Sequence, residues 1–278
     1  MMVRPPYRLE DPADLRALRR LVRETTGAPR PAARWVRPLA QPSRWLAALA
    51  GTFNPPTQAH LALLEAARAA GADAVTFVVA VVSIEKEQLT AALLEDRLAL
   101  LDQIAARLEA GLVLTNAGLY AEQAAALRTL LPTTTRLSFI LGADKVLQIF
   151  DPRYYHDRDA ALEQLFAQAD LLVVPRAELE SEAIARFLAT PPAARWRHAV
   201  TLLSPPTSLD RWLSASAVRR GEVTSLEQAL PPESVRFLEQ WQPYQPGSYE
   251  RRRALLDQLE REGTSASGAP APGSEPAS

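Results

Sequence analysis

Residues 45–70 read WLAALAGTFNPPTQAHLALLEAARAA. The apolar run Trp45 to Ala50 has the character of a strand, and the spacing of apolar residues from His60 to Ala70 that of a helix. Gly51 to His60 must therefore turn the chain tightly from one into the other. Pro55 and Pro56 fix that turn, and Thr57 supplies a hydroxyl at the helix start. Amides in the first turn of a helix have no carbonyl one turn back, so they face outward as anion donors. His60 sits in that first turn, where an imidazole can donate a hydrogen bond, or a positive charge when protonated, to a phosphoryl oxygen.

The same alternation continues beyond this unit. Val75 to Val82 is a continuous strand, and Leu94, Leu98, Leu101, Ala105 and Leu108 trace a helix face. Further strands are predicted at Leu112 to Thr115, Leu137 to Leu141, Leu171 to Val174 and Ala199 to Leu203. Between them lie helical segments at Ala121 to Leu131, Ala160 to Gln168 and Glu178 to Leu188. The pattern predicts an α/β fold, a doubly wound parallel sheet with helices on both faces. After the last strand SLEQAL, where Ser225 and Gln228 have capping-box spacing, and PESVRFLEQW close one side as short helices.

Residues 1–44 read as an accessory lead, polar, Arg-rich and interrupted by proline, with one helix from Pro12 to Val22. Residues 45–246 form the main domain, and 247–278 a C-terminal helix and tail. From Gly263 onward the tail has too little apolar surface to offset chain entropy and is expected to be disordered. No internal repeat of solenoid or propeller length is present.

Composition narrows the chemistry. A net charge of -1 over 278 residues gives no sign of a nucleic-acid binder and suits small anionic ligands. The absence of cysteine excludes disulfides, thiolate metal sites and thiol nucleophiles, and His60, His156 and His198 are too scattered for a dedicated zinc site. No run approaches the length of a membrane span, so a cytoplasmic protein without a membrane partner is expected. Only two of the 31 basic residues are lysines, Lys86 and Lys145, and both fall just past predicted strands, where a doubly wound fold places its ligand.

Three other segments carry chemistry. In LSASAVRR, Leu213 to Arg220, Ser214 and Ser216 can cap a helix and offer hydroxyls to phosphate, with Arg219 a turn later on the same face. A guanidinium there can grip two phosphate oxygens at once. In FILGADKVLQIF, Phe139 to Phe150, the strand runs into Gly142, and Asp144 opens a helix. ADLLVVPR, Ala169 to Arg176, is a strand ended by Pro175. Taken singly, each segment also suits an ordinary capped helix or a solvated charge; their combination in one α/β pattern gives them weight.

GTFNPPTQAH resembles the signature loop of the nucleotidylyltransferase family, and GTFNPPT is close to the loop of the nicotinamide and nicotinate mononucleotide adenylyltransferases. Ala59 stands where family members commonly carry Gly. LSASAVRR is similar to the second family signature, with Leu213 for the usual Ile, and LPPESVRFLEQWQPY to its closing helix. Ala121 replaces a Thr of the pyridine-nucleotide subgroup, and FDPRYYHDRDA departs from its usual Trp-containing stretch. The likeness spans about Trp45 to Tyr244 and implies a Rossmann-like sheet.

The resemblance assigns catalysis to His60, Arg219 and Thr57, and nucleotide binding to Gly51, Thr52, Phe53, Gly142, Asp144, Arg176, Ser214 and Ser216. Lys86 and Tyr120 become candidates for contact with phosphate or acceptor. It implies attack by an acceptor phosphate on the α-phosphorus of ATP, with Mg2+ arriving on the ATP and no protein metal site. The partners expected are ATP and a small phosphorylated acceptor, nicotinamide or nicotinate mononucleotide, and a homo-oligomer is left open. The alternatives are a pantetheine-phosphate adenylyltransferase, a cytidylyltransferase, or a nucleotide-binding regulatory paralogue without turnover.

Overall fold

A computed structural model describes residues 4–81, 92–175, 178–204 and 215–266. In chain order these form α1 (Pro12–Gly27), β1 (Ala33–Arg37), β2 (Trp45–Ala50), α2 (Gln58–Ala69), β3 (Ala74–Ala80), α3 (Leu94–Arg107), β4 (Gly111–Thr115), α4 (Tyr120–Arg128) and β5 (Arg136–Gly142). There follow α5 (Ala143–Phe150), α6 (Arg158–Phe166), β6 (Asp170–Val174), α7 (Glu178–Leu188), β7 (Val200–Leu202), α8 (Ala215–Arg219), α9 (Leu226–Ala229), α10 (Pro232–Trp241) and α11 (Ser248–Ala266). Among the described residues, no helix is long and apolar enough to cross a membrane.

The seven strands make one sheet in the order β1-β4-β3-β2-β5-β6-β7. Every neighbouring pair is parallel except β1 with β4. The central strands are covered on both sides, so AVTFVVA and RLSFILG read as apolar runs rather than alternations. One face packs Leu64 of α2 and Leu98, Leu101 and Ile104 of α3 against Phe77 and Leu112, with Leu18 of α1 joining them. The opposite face packs Leu127 of α4, Val146 and Ile149 of α5 and Leu162 of α6 against Phe139 and Leu171. The winding reverses between β2 and β5, and in such sheets a ligand crevice opens beyond the carboxyl ends of the strands at that point.

The lead is part of the sheet, which the sequence did not announce. Ala33–Arg37 pairs antiparallel with β4 at the edge, with an irregular register between Trp35 and Arg37. ARWVR shows no apolar run because one of its buried residues is Arg37, whose carboxylate partner Asp102 lies on α3. The helix of the lead also runs further than expected, to Gly27. At the other end α11 extends to Ala266, while the remainder of the predicted tail lies outside the described residues.

These additions cover the outer side of α3, whose charges a sequence reading would leave in water. Glu95, Asp96, Arg97 and Asp102 are all buried. Arg19 of α1 reaches Glu95 at 3.2 Å and also contacts Asp257 and Glu260 of α11. Arg252 of α11 holds Asp96 at 2.8 Å and the Leu9 carbonyl at 2.8 Å while lying over the Trp241 ring. Asp102 accepts from Arg37 Nε at 2.7 Å and from the Tyr7 amide at 2.8 Å, and pairs with Arg4 at 3.0 Å.

Candidate active site

The turn between β2 and α2 sits at the switch point, and its shape follows from its residues. Gly51 donates to the Val78 carbonyl at 3.1 Å, and the Phe53 ring folds back so that a Cβ on Gly51 would lie 3.1 Å from it. Phe53 takes a left-handed φ of 48°, a conformation costly for a bulky residue and one that the surroundings must hold in place. Its ring meets Phe77 and His60 edge-on, at 5.2 and 5.0 Å between centroids.

Three alternate carbonyls of this turn are each taken by a side chain from a different element. Arg97 Nη1 of α3 donates to the Thr52 carbonyl at 2.8 Å, Arg219 Nη1 of α8 to that of Asn54, and Ser234 Oγ of α10 to that of Pro56 at 3.0 Å. With the carbonyls held, the amides of Thr52, Phe53 and Asn54 find no acceptor among the described residues. They stand beside the first-turn amides of α2, so one stretch of backbone presents a set of donors while three of its carbonyls are occupied. That is an anion cradle.

His60 is half-buried at the edge of the cradle, and its tautomer can be deduced. The Thr57 amide donates to Nδ1 at 3.0 Å, and the Thr57 hydroxyl lies 2.9 Å from the same nitrogen. An amide only donates, so Nδ1 is unprotonated and the neutral ring carries its proton on Nε2. The imidazole thus fills the place that Glu or Gln takes in a capping box and retains one N–H for a ligand. Burial lowers its pKa from 6.5 to about 4, so the ring is neutral near pH 7. Acid therefore protonates the unfolded ring first, and stability falls as pH drops from 6.5 towards 4. In the free protein the His60 ring resonance should titrate with a midpoint near 4; a midpoint near 6.5 would show the ring to be hydrated.

Across the switch point, Gly142 ends β5 and Asp144 lies in the first turn of α5. A Cβ on Gly142 would lie 3.0 Å from Asp144 Oδ1, so the carboxylate end stands directly over the corner. Tyr120 at the start of α4 packs edge-on against Phe139 at 5.1 Å between centroids. Its hydroxyl pKa is pushed well above the usual range, first by burial and then by the negative charge of Asp144 and by Tyr155. Tyr120 and Asp144 therefore share one side of the mouth. Lys145 donates to Gln148 of its own helix at 2.8 Å.

The structure thus brings Gly51, Thr52, Phe53, Thr57, His60, Ser216 and Arg219 together, Arg219 also donating to Ser216 Oγ at 3.1 Å. Lys86, Arg176 and Ser214 lie outside the described residues. Sequence reasoning missed Arg97, Ser234 and Tyr244, whose hydroxyl reaches Asn54 Oδ1 at 2.9 Å, and gave Asn54 no role. Only the hydroxyl in PESVRFLEQW and the tyrosine that follows hinted at them. Among the described residues no group of three or more carboxylate or imidazole side chains could hold a metal ion.

A family model described as cytidylyltransferase-like matches residues 48–221, which contain the turn, the Gly142 to Asp144 corner and α8. No curated protein matches the sequence. Among solved structures, Plasmodium falciparum nicotinic acid mononucleotide adenylyltransferase complexed with APC superposes with a TM-score of 0.50 at 14% identity, covering 72% of this chain and 96% of that one. The same enzyme complexed with NaAD gives 0.51 at 14% identity, over 72% and 97%. These likenesses agree with the α/β sheet and its helices on both faces.

Proposed function

We propose, from the premise that this chain belongs to the cytidylyltransferase-like family and is a nucleotidyltransferase, that it transfers the adenylyl group of MgATP to nicotinamide or nicotinate mononucleotide, in the cytoplasm. The observation that carries this reading is the bond from Arg219 to the Asn54 carbonyl, which ties the segment around α8 to the anion cradle 165 residues away. A triphosphate laid between them meets backbone amides on one side and a guanidinium on the other.

In this reading the acceptor phosphate, already ionised near neutral pH, attacks the α-phosphorus in line. A new P–O bond forms to the acceptor, the bond to the β-phosphate oxygen breaks, and pyrophosphate leaves with the electron pair. No protein nucleophile or general base is needed, so catalysis reduces to alignment and charge stabilisation. The Nε2–H of His60 and the amides of Thr52 to Asn54 donate to phosphoryl oxygens; Arg219 and Ser216 take the outer phosphates. Magnesium enters this reading as part of the substrate, bound to the triphosphate. Tyr120 and Asp144 face the acceptor and nucleotide from the β5 side, where burial keeps the Tyr120 hydroxyl protonated as a donor.

The test is pyrophosphate release from ATP or CTP against nicotinamide mononucleotide, nicotinate mononucleotide and phosphopantetheine. Release with ATP and a pyridine mononucleotide is expected. Release only with CTP or only with phosphopantetheine would replace the substrate assignment, and ATP binding without release from any pair would make the protein a nucleotide-binding regulator.

A further inference from the structure

The side chain of Asn54 is buried, and its orientation is settled by its neighbours. Its Oδ1 lies 3.3 Å from the amide of Ala92 and 2.9 Å from the hydroxyl of Tyr244. The Ala92 amide can only donate, so the atom facing it must be the oxygen, and the Tyr244 hydroxyl completes the pair as a second donor. The Nδ2 group, with two hydrogens, is then turned away from both and has no acceptor among the described residues. Nδ2 is not among the fully enclosed unpaired atoms of the described residues, so within a side chain that is otherwise buried it keeps an opening through which a ligand can supply the acceptor. The carbonyl of the same residue receives Arg219, and its backbone amide is one of the unpaired donors of the cradle. All the uncommitted polarity of Asn54 is therefore of one kind, hydrogen-bond donation, in a place where the neighbouring cation also lies.

We infer that Asn54 Nδ2 is a binding donor for a phosphate oxygen of the bound nucleotide, and that Tyr244, beyond the stretch matched by the family model, is the positioning residue that aims it. The inference rests on the cradle being a polyphosphate site, not on the identity of the acceptor. Tyr244 acts through Asn54: its hydroxyl, with the Ala92 amide, decides which end of the carboxamide meets the ligand.

Asn54→Asp separates this role from a structural one. The carboxylate still accepts from Tyr244 and Ala92, so the turn keeps both anchoring bonds, while the donor becomes a negative oxygen whose burial costs some stability; affinity is therefore read on variant protein shown by circular dichroism to be folded at the assay temperature. Calorimetric affinity for MgATP and for inorganic tripolyphosphate should fall about 30-fold or more, as expected for exchanging a charge-assisted hydrogen bond for repulsion. Tyr244→Phe keeps the ring and should weaken both ligands about threefold to tenfold, with no further loss when added to Asn54→Asp. Wild-type affinity in a folded Asn54→Asp protein would overturn the inference and leave adenylyl transfer standing. Loss of tripolyphosphate binding in that variant, in a protein that releases no pyrophosphate, would support the inference and remove the proposed reaction. If the wild-type protein binds neither ligand, the inference falls. Should Asn54→Asp not fold, unchanged affinity in Tyr244→Phe overturns it instead.

Discussion

His60→Ala is expected to lower kcat for pyrophosphate release by about 100-fold or more, the usual consequence of removing one preorganised donor from a developing negative charge. The ring does two jobs, however, and the variant removes both. Its Nδ1 accepts from the Thr57 amide and so caps α2, and losing that contact alone should reduce stability by about 1 kcal/mol. His60→Gln distinguishes the two, because Gln at the third helical position is a natural partner in a capping box. The Gln variant should recover most of the stability and little of the turnover. If His60→Ala keeps its turnover at saturating substrate, the imidazole has no place in the chemistry and is only a cap.

Asp102→Ala should give the largest loss of stability, about 3–5 kcal/mol, because it leaves Arg37 charged and buried with its carboxylate partner gone. One carboxylate gathers Arg37, Arg4 and the Tyr7 amide, so its removal frees the start of the lead and the edge strand together. Urea unfolding followed by circular dichroism measures it, with the midpoint moving and the slope little changed. Arg44→Ala serves as the contrast: its pair with Asp73 is 3.7 Å long and the Arg44 side chain is 98% exposed, so a change within about 0.5 kcal/mol is expected. A similar small change in Asp102→Ala would mean that the lead is held by its apolar contacts and not by this carboxylate.

The turn at the switch point was legible because its residues are punctuation with mechanical meaning: a glycine under a ring, two prolines, and a threonine at a helix start. The parallel strands were legible for a related reason, since burial on both faces writes them as unbroken apolar runs such as AVTFVVA. β1 was not, because it owes its place to pairing with β4 and to a buried arginine whose partner is 65 residues on. Nor was the outer side of α3. LEDR at its start looks like an acidic first turn facing water, and only the arrival of Arg19 and Arg252 from opposite ends of the chain makes it interior. Ion pairs across such separations leave no periodicity to read. Within the site, the amides and His60 follow from local pattern, whereas the roles of Asn54, Arg97 and Ser234 depend on which distant donor reaches which carbonyl.

The three donors that fasten the turn come from positions 45, 165 and 178 residues downstream of the carbonyls they hold. A growing polypeptide that has emerged only as far as β7 possesses every strand of the sheet, yet neither Arg219 nor Ser234 exists to finish the cradle. The cradle therefore waits on a late-made segment: ribosome-held intermediates that stop at β7 would carry the whole sheet and still lack two of the three donors that fasten the turn.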